Sequence, residues 1–307
     1  MNPGSKIWAR KQLSERAGFP SLWLAAALDG FRVHGEAGHG AAQGLPALRG
    51  GNTLVWITKA GMNNMADPKV VADLAPHGVL RAAINMGNFL LVTGRTPSGD
   101  PDGCSPDMAR AIAASLGVPV QMVPYARPGE LADDAEKDKW DIGLIGAEPA
   151  RAEKIDFTAA YVEIEATYLV PAGSPIATIA EVDVKGNRIA VTARSAYDLW
   201  LERNVHNATL HRGNNQAATI ELFLNEKMEA LAGLRPGLIG DAAKIPGSRI
   251  LDGQFTAVQQ AIGTPKKNAA GAAYLKQFVE NAKKSGDVAA LIQKHGVVGR
   301  LSVAPPG

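Results

Sequence analysis

An arginine that follows an apolar run offers the clearest anion-binding chemistry in the sequence. Arg151 stands just inside a predicted helix start, shortly after the apolar run 140–145. A guanidinium group holds a carboxylate through two parallel hydrogen bonds, and a helix N-terminus favours an anion nearby. The alternative is a surface arginine paired with Glu148 or Glu153. The sequence therefore indicates an anion-binding arginine with a purely structural alternative.

Two more side chains could contribute to the same chemistry. Glu148 either accepts a hydrogen bond from a ligand N–H or O–H group or simply suits the dipole of the helix that follows it. Ser195 begins another predicted helix, so its hydroxyl and the nearby backbone N–H groups could receive a ligand oxyanion. The same serine is fully explained as an N-cap. Both interpretations stay open for each residue.

The end of the first predicted strand supplies three further candidates. Leu80–Asn85 is a short apolar run, and Asn85, Asn88 and Phe89 stand at or just beyond its carboxyl end. Open parallel sheets bind ligands at this edge. Phe89 is either a stacking surface for a ligand or a core residue.

Composition excludes several classes of site. The 307 residues carry 32 basic and 30 acidic side chains, and the net charge of +2 lacks the basic surplus of a nucleic-acid binder. The single cysteine, Cys104, rules out an intrachain disulfide and a cysteine-rich zinc site. The sequence contains no glycine-rich phosphate loop, nucleophile elbow or histidine pair at metal spacing. We expect neither a metal nor another cofactor.

Alternating strand and helix signals must position these residues. Leu80–Asn85 is followed by a helix that Ser105 caps and Gly117 ends. A further strand, a polar helix at 129–139 and the buried strand 140–145 come next. Strands separated by helices indicate a parallel sheet covered by helices.

The same pattern restarts in the middle of the chain. Arg188–Thr192 is a predicted strand, and Ser195 begins the next helix with capping-box spacing. Strands at 228–232 and 254–263 follow, and then two terminal helices. The length suits about two domains of roughly 100–150 residues each. We therefore predict an α/β fold with two units.

Residues 1–65 differ from the rest. The segment 30–51 is rich in Gly, Ala and His without a sustained apolar period, so it cannot bury enough surface to offset the entropy of ordering. We expect disorder or an upstream translation artefact, with Met62 or Met65 as the true start. The apolar stretch 19–28 is alternatively a weak signal peptide.

The order and spacing of these segments resemble the family 3 solute-binding proteins of ABC importers. The similarity covers the chain from Pro68 onward. Residues 103–109 are similar to the family's GFDxDLA-like helix start. Residues 141–151, the dipeptide 156–157 and Tyr161 are similar to its DxxxxxxTxxRxxxxDFxxPY-like stretch.

The resemblance implies a periplasmic-binding-protein type II fold, in which two lobes close like a Venus flytrap. Lobe 1 would comprise residues 66–170 and 256–304, and lobe 2 would comprise residues 171–255. Each lobe would be a mostly parallel sheet flanked by helices. A ligand bound between the lobes would close them around two hinge crossings.

The resemblance also suggests roles for single residues. Arg151 matches the family arginine that pairs with a ligand carboxylate, and Ser195 lies in the family's anion-binding turn. Arg194 stands where the family often has glycine, and it either adds a positive charge or points to solvent. Leu234 stands near the family's acid for a ligand α-ammonium group, with Arg235 beside it. A cavity with Arg151 and Arg235 but without that acid would favour an organic acid or a dicarboxylate.

Three functional interpretations follow from the resemblance. The first is binding of a small polar or anionic solute, an amino acid or organic acid, for an ABC permease. The second is a cyclohexadienyl or arogenate dehydratase, which would need Glu148, Glu163 or Glu165 to protonate a leaving hydroxyl. The third is the effector domain of a transcription regulator, ranked last because residues 1–65 show no helix-turn-helix.

We favour the binding interpretation. The family implies a periplasmic location, with a cytoplasmic one as the alternative because the signal peptide is weak. We expect a monomer that takes a small-molecule ligand and no nucleic acid.

Overall fold

The computed structural model describes residues 67–307. The expectations for residues 1–65, including their disorder, the alternative start and the signal peptide, lie outside the described residues. Among residues 67–307, no helix is both long and apolar enough to cross a lipid bilayer.

Nine α-helices occur in the described part of the chain. They are α1 (Pro68–Leu74), α2 (Cys104–Leu116), α3 (Pro128–Asp133), α4 (Pro149–Ala152), α5 (Ala196–Asn204), α6 (Gln216–Asn225), α7 (Arg235–Ala242), α8 (Ala269–Lys284) and α9 (Asp287–Lys294). Four of them, α1, α3, α4 and α7, have proline in their first two positions, where its missing N–H costs nothing. The predicted helix 129–139 is too long, because α3 ends at Asp133 and turns follow.

Thirteen strands occur in the same residues. They are β1 (Leu80–Asn85), β2 (Gly94–Arg95), β3 (Pro101–Asp102), β4 (Val120–Tyr125), β5 (Ile142–Gly146), β6 (Ile155–Phe157), β7 (Val162–Val170), β8 (Arg188–Thr192), β9 (Thr209–Gly213), β10 (Ala230–Leu234), β11 (Arg249–Ile250), β12 (Thr256–Pro265) and β13 (Ser302–Val303).

The main sheet contains two parallel strand sets joined by antiparallel strands. Its order is β4-β1-β5-β12-β7-β10-β8-β9. Strands β4, β1 and β5 are parallel to one another, as are β10, β8 and β9. The long strands β12 and β7 pair antiparallel with each other and with the strand set on either side. This arrangement confirms the expected mixed α/β fold with two mostly parallel strand sets.

The buried apolar side chains separate into two main cores. The first core joins α1, α2, α8 and α9 to strands β1 and β5, with Ile84, Ile112 and Leu291 buried. The second core joins α5 to strands β7, β8 and β10, with Val191 and Leu201 buried. This separation supports the division into lobes at residues 66–170 with 256–304 and 171–255, which stays a proposal.

Helix α2 does not begin as predicted. Its N-cap is Gly103, not Ser105, and no side chain caps it. A Cβ at Gly103, where φ is +148°, would overlap the backbone carbonyl of Leu91, so only glycine allows this close approach. The Ser105 hydroxyl instead makes a hydrogen bond of 2.7 Å with the phenol of buried Tyr161.

An ion cluster ties the first turn of α2 to the end of α9. The nearly buried Asp107 carboxylate accepts hydrogen bonds from Lys294 Nζ at 2.7 Å and Arg110 Nη1 at 2.9 Å, and it lies 2.8 Å from His295 Nε2. Burial acts to raise the pKa of Asp107, but these three partners outweigh it and hold that pKa well below its usual range. We call these four residues the Asp107 cluster.

Candidate functional site

A cavity of about 360 Å³ lies where the carboxyl ends of strands from both parallel sets meet. Asn85 ends β1, Gly146 ends β5 and Thr192 ends β8, and all three line the cavity. Helix α7 contributes Gly237 and Asp241 to another part of its wall. The cavity therefore occupies the position at which open α/β sheets bind ligands.

Arg151 is the buried cation of this cavity. It lies in α4 and is only 5% exposed. Its Nη1 donates to the Gly146 carbonyl at 2.7 Å, and its Nη2 donates to the Arg194 carbonyl at 2.9 Å. Two of its five N–H donors are used in this way. Within residues 67–307 no carboxylate forms a salt bridge with it, so pairing with Glu148 or Glu153 is not observed.

Burial sets the electrostatics of this guanidinium. Removal from water lowers the pKa of Arg151 to about 10, with Glu148 opposing and Arg194 reinforcing the shift. A charge held away from water without a charged partner is costly. An anion in the cavity would offset this cost.

Glu148 and Arg194 lie outside the cavity and link segments that follow β5 and β8. The Glu148 carboxylate pairs with Arg203 on α5. Arg194, in the left-handed region with φ of 58°, pairs with Asp133 at the end of α3 at 2.6 Å. Neither residue is among those that line the cavity, which agrees with the structural alternatives given for both; a ligand-binding role for Glu148 and Arg194 stays a prediction.

Arg235 also lies away from the cavity. Its Nε donates to Glu165 at 2.6 Å, and its Nη2 contacts the Gly253 carbonyl. Leu234 lines the cavity, as its proximity to the family's acid position implied. Arg235 is not among the cavity-lining residues, so the structure gives no support to the second positive charge on which the preference for organic acids was based; that preference stays a prediction.

Asn85, Asn88, Phe89 and Ser195 do line the cavity. The two asparagine side-chain oxygens accept from the backbone N–H groups of Gly87 and Leu90, which leaves their amide donors free of partners among the described residues. The Ser195 hydroxyl accepts from the Asp198 N–H at 3.1 Å, confirming that it caps α5. The Phe89 ring is 45% exposed, so it is not a core residue.

The cavity residues that the sequence did not reveal include Gln260 and Asp241. Gln260 on β12 is 4% exposed. Asp241, near the end of α7, is the one carboxylate among the cavity-lining residues of the described chain. Burial raises the pKa of Asp241, while a hydrogen bond from Gln216 at 3.2 Å and the charge of Lys244 oppose that shift. Asp241 lies about two helical turns beyond Leu234, on the helix that directly follows it.

One further group of acids and a histidine has metal-like spacing. Asp102, Asp107 and His295 bring one potential ligand atom each within 4.8 Å of the others. The oxygens of Asp107 already accept from Lys294 and Arg110. Because two cationic side chains already donate to that carboxylate, the close approach of these three residues is better explained by the structural Asp107 cluster than by a metal site.

Comparisons with known proteins agree with the fold. The family model described as bacterial extracellular solute-binding proteins, family 3, matches residues 88–298. The L-cystine-binding protein TcyJ of Escherichia coli (strain K12) is 21% identical over 260 residues, covering 84% of this chain and 94% of that protein.

Solved structures extend the comparison. A solute receptor for L-cysteine of Neisseria gonorrhoeae matches with a TM-score of 0.63 and 21% identity, covering 76% of this chain and 99% of that one. The ancestral amino acid-binding protein AncCDT-1, a precursor of cyclohexadienyl dehydratase, matches with a TM-score of 0.59 and 21% identity, covering 73% and 98%. These likenesses show the periplasmic-binding-protein type II fold.

Proposed function

The chain belongs to the bacterial extracellular solute-binding proteins of family 3, and from this premise we propose that it binds one small solute through a carboxylate group held by Arg151. The observation that carries the proposal is the buried guanidinium, 5% exposed, with no salt-bridge partner among residues 67–307. A carboxylate would offset the cost of that buried charge and fill N–H donors that the protein leaves free.

The surroundings of Arg151 support a polar ligand. Asn85 and Asn88, whose amide donors have no partner among the described residues, line the same cavity, and Phe89 presents an exposed ring. Such a mixture of apolar surface and a few directed polar groups is typical of small-molecule sites. We propose an amino acid or organic acid as the solute.

The proposed role is that of the substrate-binding component of an ABC importer. Family membership supports a permease as the partner and an extracellular or periplasmic place of action. The relatives named as amino acid-binding or receptor proteins support this assignment.

A melting screen tests the proposal. We expect a carboxylate ligand at about 100 times its Kd to stabilise the protein by roughly 2.7 kcal/mol, which raises Tm by about 5–10 °C. The screen should include amino acids, dicarboxylates and aromatic acids. Each hit should be compared with the analogue in which a carboxamide replaces the carboxylate. Equal stabilisation by the carboxamide would contradict a guanidinium–carboxylate contact.

We propose binding rather than dehydration. Glu148, Glu163 and Glu165, the acids considered for proton transfer, do not line the cavity; Glu163 accepts from Gln259 and Glu165 pairs with Arg235. No turnover of prephenate or arogenate by the purified protein is therefore expected. Formation of phenylpyruvate or phenylalanine above the rate without protein would reinstate the enzyme interpretation.

The pair between Arg194 and Asp133 gives a prediction about closure. If the two strand sets are lobes that close on a ligand, this pair stabilises the closed form by about 0.2–1 kcal/mol, because both side chains are half exposed. Asp133→Asn should weaken binding by roughly 1.5- to 5-fold. Asp134→Asn is the control, because Asp134 pairs with Lys137 and Lys139 within its own segment.

Small-angle scattering provides the second measurement of closure. Saturating ligand should reduce the radius of gyration of the wild type. An unchanged radius with calorimetrically confirmed binding would contradict lobe movement.

A further inference from the structure

The charged side chains of the cavity wall are mostly cationic. The charged residues that line the cavity are Arg127, Arg151, Asp241, Lys244 and Arg300. Arg127 donates to Glu130 at 2.9 Å, and the charge of Lys244 opposes the rise in the pKa of Asp241. Among residues 67–307, no carboxylate lies within salt-bridge distance of Arg151 or Arg300. The wall therefore holds two guanidinium groups that no carboxylate of the described chain neutralises.

A short turn fixes the backbone of Arg300 at the cavity. The Arg300 N–H donates to the Val297 carbonyl at 3.1 Å, and Val297 and Leu301 are both buried in the first core. Gly299 within this turn has φ of +75°, a left-handed conformation that glycine adopts without strain. The side chain at position 300 therefore starts from an anchored segment, although the residue itself is exposed.

The Phe89 ring orients the Arg300 guanidinium. Arg300 Cζ lies 5.6 Å from the centroid of this ring, which is within the range of a cation–π contact. A Cβ built on Gly237 of α7 would lie 3.4 Å from Phe89 Cζ, so the ring lies against that helix. Stacking through the face of a guanidinium leaves the N–H donors along its edge available for a carboxylate.

We propose that Arg300 binds a second carboxylate of the solute, so that the site selects dicarboxylic acids over acids with a single carboxylate. This inference rests on the proposed function, in which Arg151 holds the first carboxylate. A solute with two carboxylates gives each of the two guanidinium groups a negatively charged partner. Arg300 thus supplies a second positive charge in the cavity wall, where Arg235 does not.

The two arginines should contribute unequally. Arg151 is 5% exposed, whereas Arg300 is exposed, so water and salt screen the charge of Arg300 more strongly. The first carboxylate therefore decides whether a solute binds. The second carboxylate decides which of several acids binds best.

Matched pairs of acids test this selection. Calorimetry on the full chain should compare succinate with succinamate, glutarate with glutaramate, phthalate with phthalamate, and L-glutamate with L-glutamine. The members of each pair differ only in that a carboxamide replaces one carboxylate. In the pairs that bind, the diacid should bind about 3- to 30-fold more tightly, which lies between the effects of an exposed ion pair and of a hydrogen bond to a charged group. Equal binding of diacid and half-amide would overturn the proposal.

Arg300→Gln should bring this ratio close to one by weakening only the diacid. Arg95→Gln is the matched control and should keep the wild-type ratio. Arg95 is also exposed, has no carboxylate within salt-bridge distance in the described chain, and donates to the Gly99 carbonyl at 2.7 Å. It is not among the residues that line the cavity.

The outcomes separate this inference from the proposed function. A wild-type ratio retained in Arg300→Gln would overturn the role of Arg300 while Arg151→Ala still weakens both members of each pair. Equal binding of all probes to Arg151→Ala and the wild type would overturn the proposed function itself. So would the absence of binding by every pair at millimolar concentration.

Charge reversal at the same position should produce a gain of binding. Arg300→Glu should weaken glutarate further than Arg300→Gln does, because two carboxylates then face each other. The same variant should bind 5-aminopentanoate, whose far end is an ammonium group, about 2- to 5-fold more tightly than the wild type does. A general loss of stability cannot produce such a gain. Unchanged binding of both probes would show that position 300 does not contact the far end of the solute.

Discussion

Replacing Arg151 by alanine is expected to lower the affinity for a carboxylate ligand by about 30-fold to several-thousand-fold. Removal of one partner from a buried charge pair costs about 2–5 kcal/mol, because the other charge stays away from water without compensation. Calorimetry with the acid that most stabilises the wild type gives the measurement.

Arg151→Lys separates geometry from charge. An ammonium group keeps the positive charge but cannot make two parallel hydrogen bonds to one carboxylate. Binding should therefore be weaker than in the wild type and stronger than in Arg151→Ala. Wild-type affinity in Arg151→Lys would indicate a simple charge effect.

The unliganded Arg151→Ala protein should keep its stability. The substitution removes the hydrogen bonds to the Gly146 and Arg194 carbonyls, but it also removes a buried charge without a salt-bridge partner among the described residues. These effects oppose each other, so Tm should stay within roughly 3 °C of the wild type. Near-normal affinity in this variant would refute the ligand role, and a large loss of Tm would make Arg151 a structural residue.

The second large effect is expected at Asp107, which lies in the first turn of α2. Asp107→Ala leaves Lys294, Arg110 and His295 without their shared acceptor, and breaking a buried pair costs about 3–5 kcal/mol. The side chains of Lys294 and Arg110 are 42% and 32% exposed and can turn to water. We therefore expect Asp107→Ala to lower the free energy of unfolding by about 2–4 kcal/mol. Scanning calorimetry should show Tm lower by roughly 5–15 °C.

Asp102→Asn is the control for this substitution. Asp102 is more exposed, at 38%, and lies 3.9 Å from the same Arg110. Its replacement should change Tm by less than about 2 °C. Equal losses in both variants would show that the cluster's stability does not depend on the nearly buried carboxylate.

The pH dependence of stability should follow the same carboxylate. The pKa of Asp107 is lower in the folded state than in the unfolded chain, so the unfolded state binds more protons as the solution is acidified. The stabilisation that the cluster gives the folded state is complete above the ordinary aspartate pKa of about 4, and it is lost as pH falls below that value. Between about pH 4 and pH 2.5, the wild type should lose more unfolding free energy than Asp107→Asn.

Local patterns in the sequence predicted the strand and helix order well. The alternation of apolar runs with capping residues located β1, β5 and β8, and Ser195 caps α5 as its spacing indicated. Strand β7 was missed, although its residues Val162, Ile164 and Ala166 alternate with polar ones. Ser105 was misassigned because a hydroxyl near a helix start can bond elsewhere, here to Tyr161.

The candidate site was harder to predict, because side-chain direction depends on segments far apart in the chain. Arg151 could be identified from its own surroundings. Arg235 could not be excluded, because its partners are Glu165 on β7 and a carbonyl after β11. Gln260 faces the cavity because β12 pairs with β5 in a particular register. That register joins distant parts of the chain, so no short stretch of sequence specifies it.

The position of β12 has a consequence for the time order of folding. Residues of β12 pair with β5, more than a hundred positions earlier in the chain, and the first core includes Leu291 and Leu301 near the C-terminus. A ribosome must therefore finish almost the entire chain before β5 gains its second neighbour. Contacts so distant in sequence slow folding. The edge of β5 that pairs with β12 therefore stays without its partner strand during most of synthesis. The residues of the second core all lie between 166 and 258. They are all synthesised before the last residues of the first core, so the second core can form as a unit before the first core does.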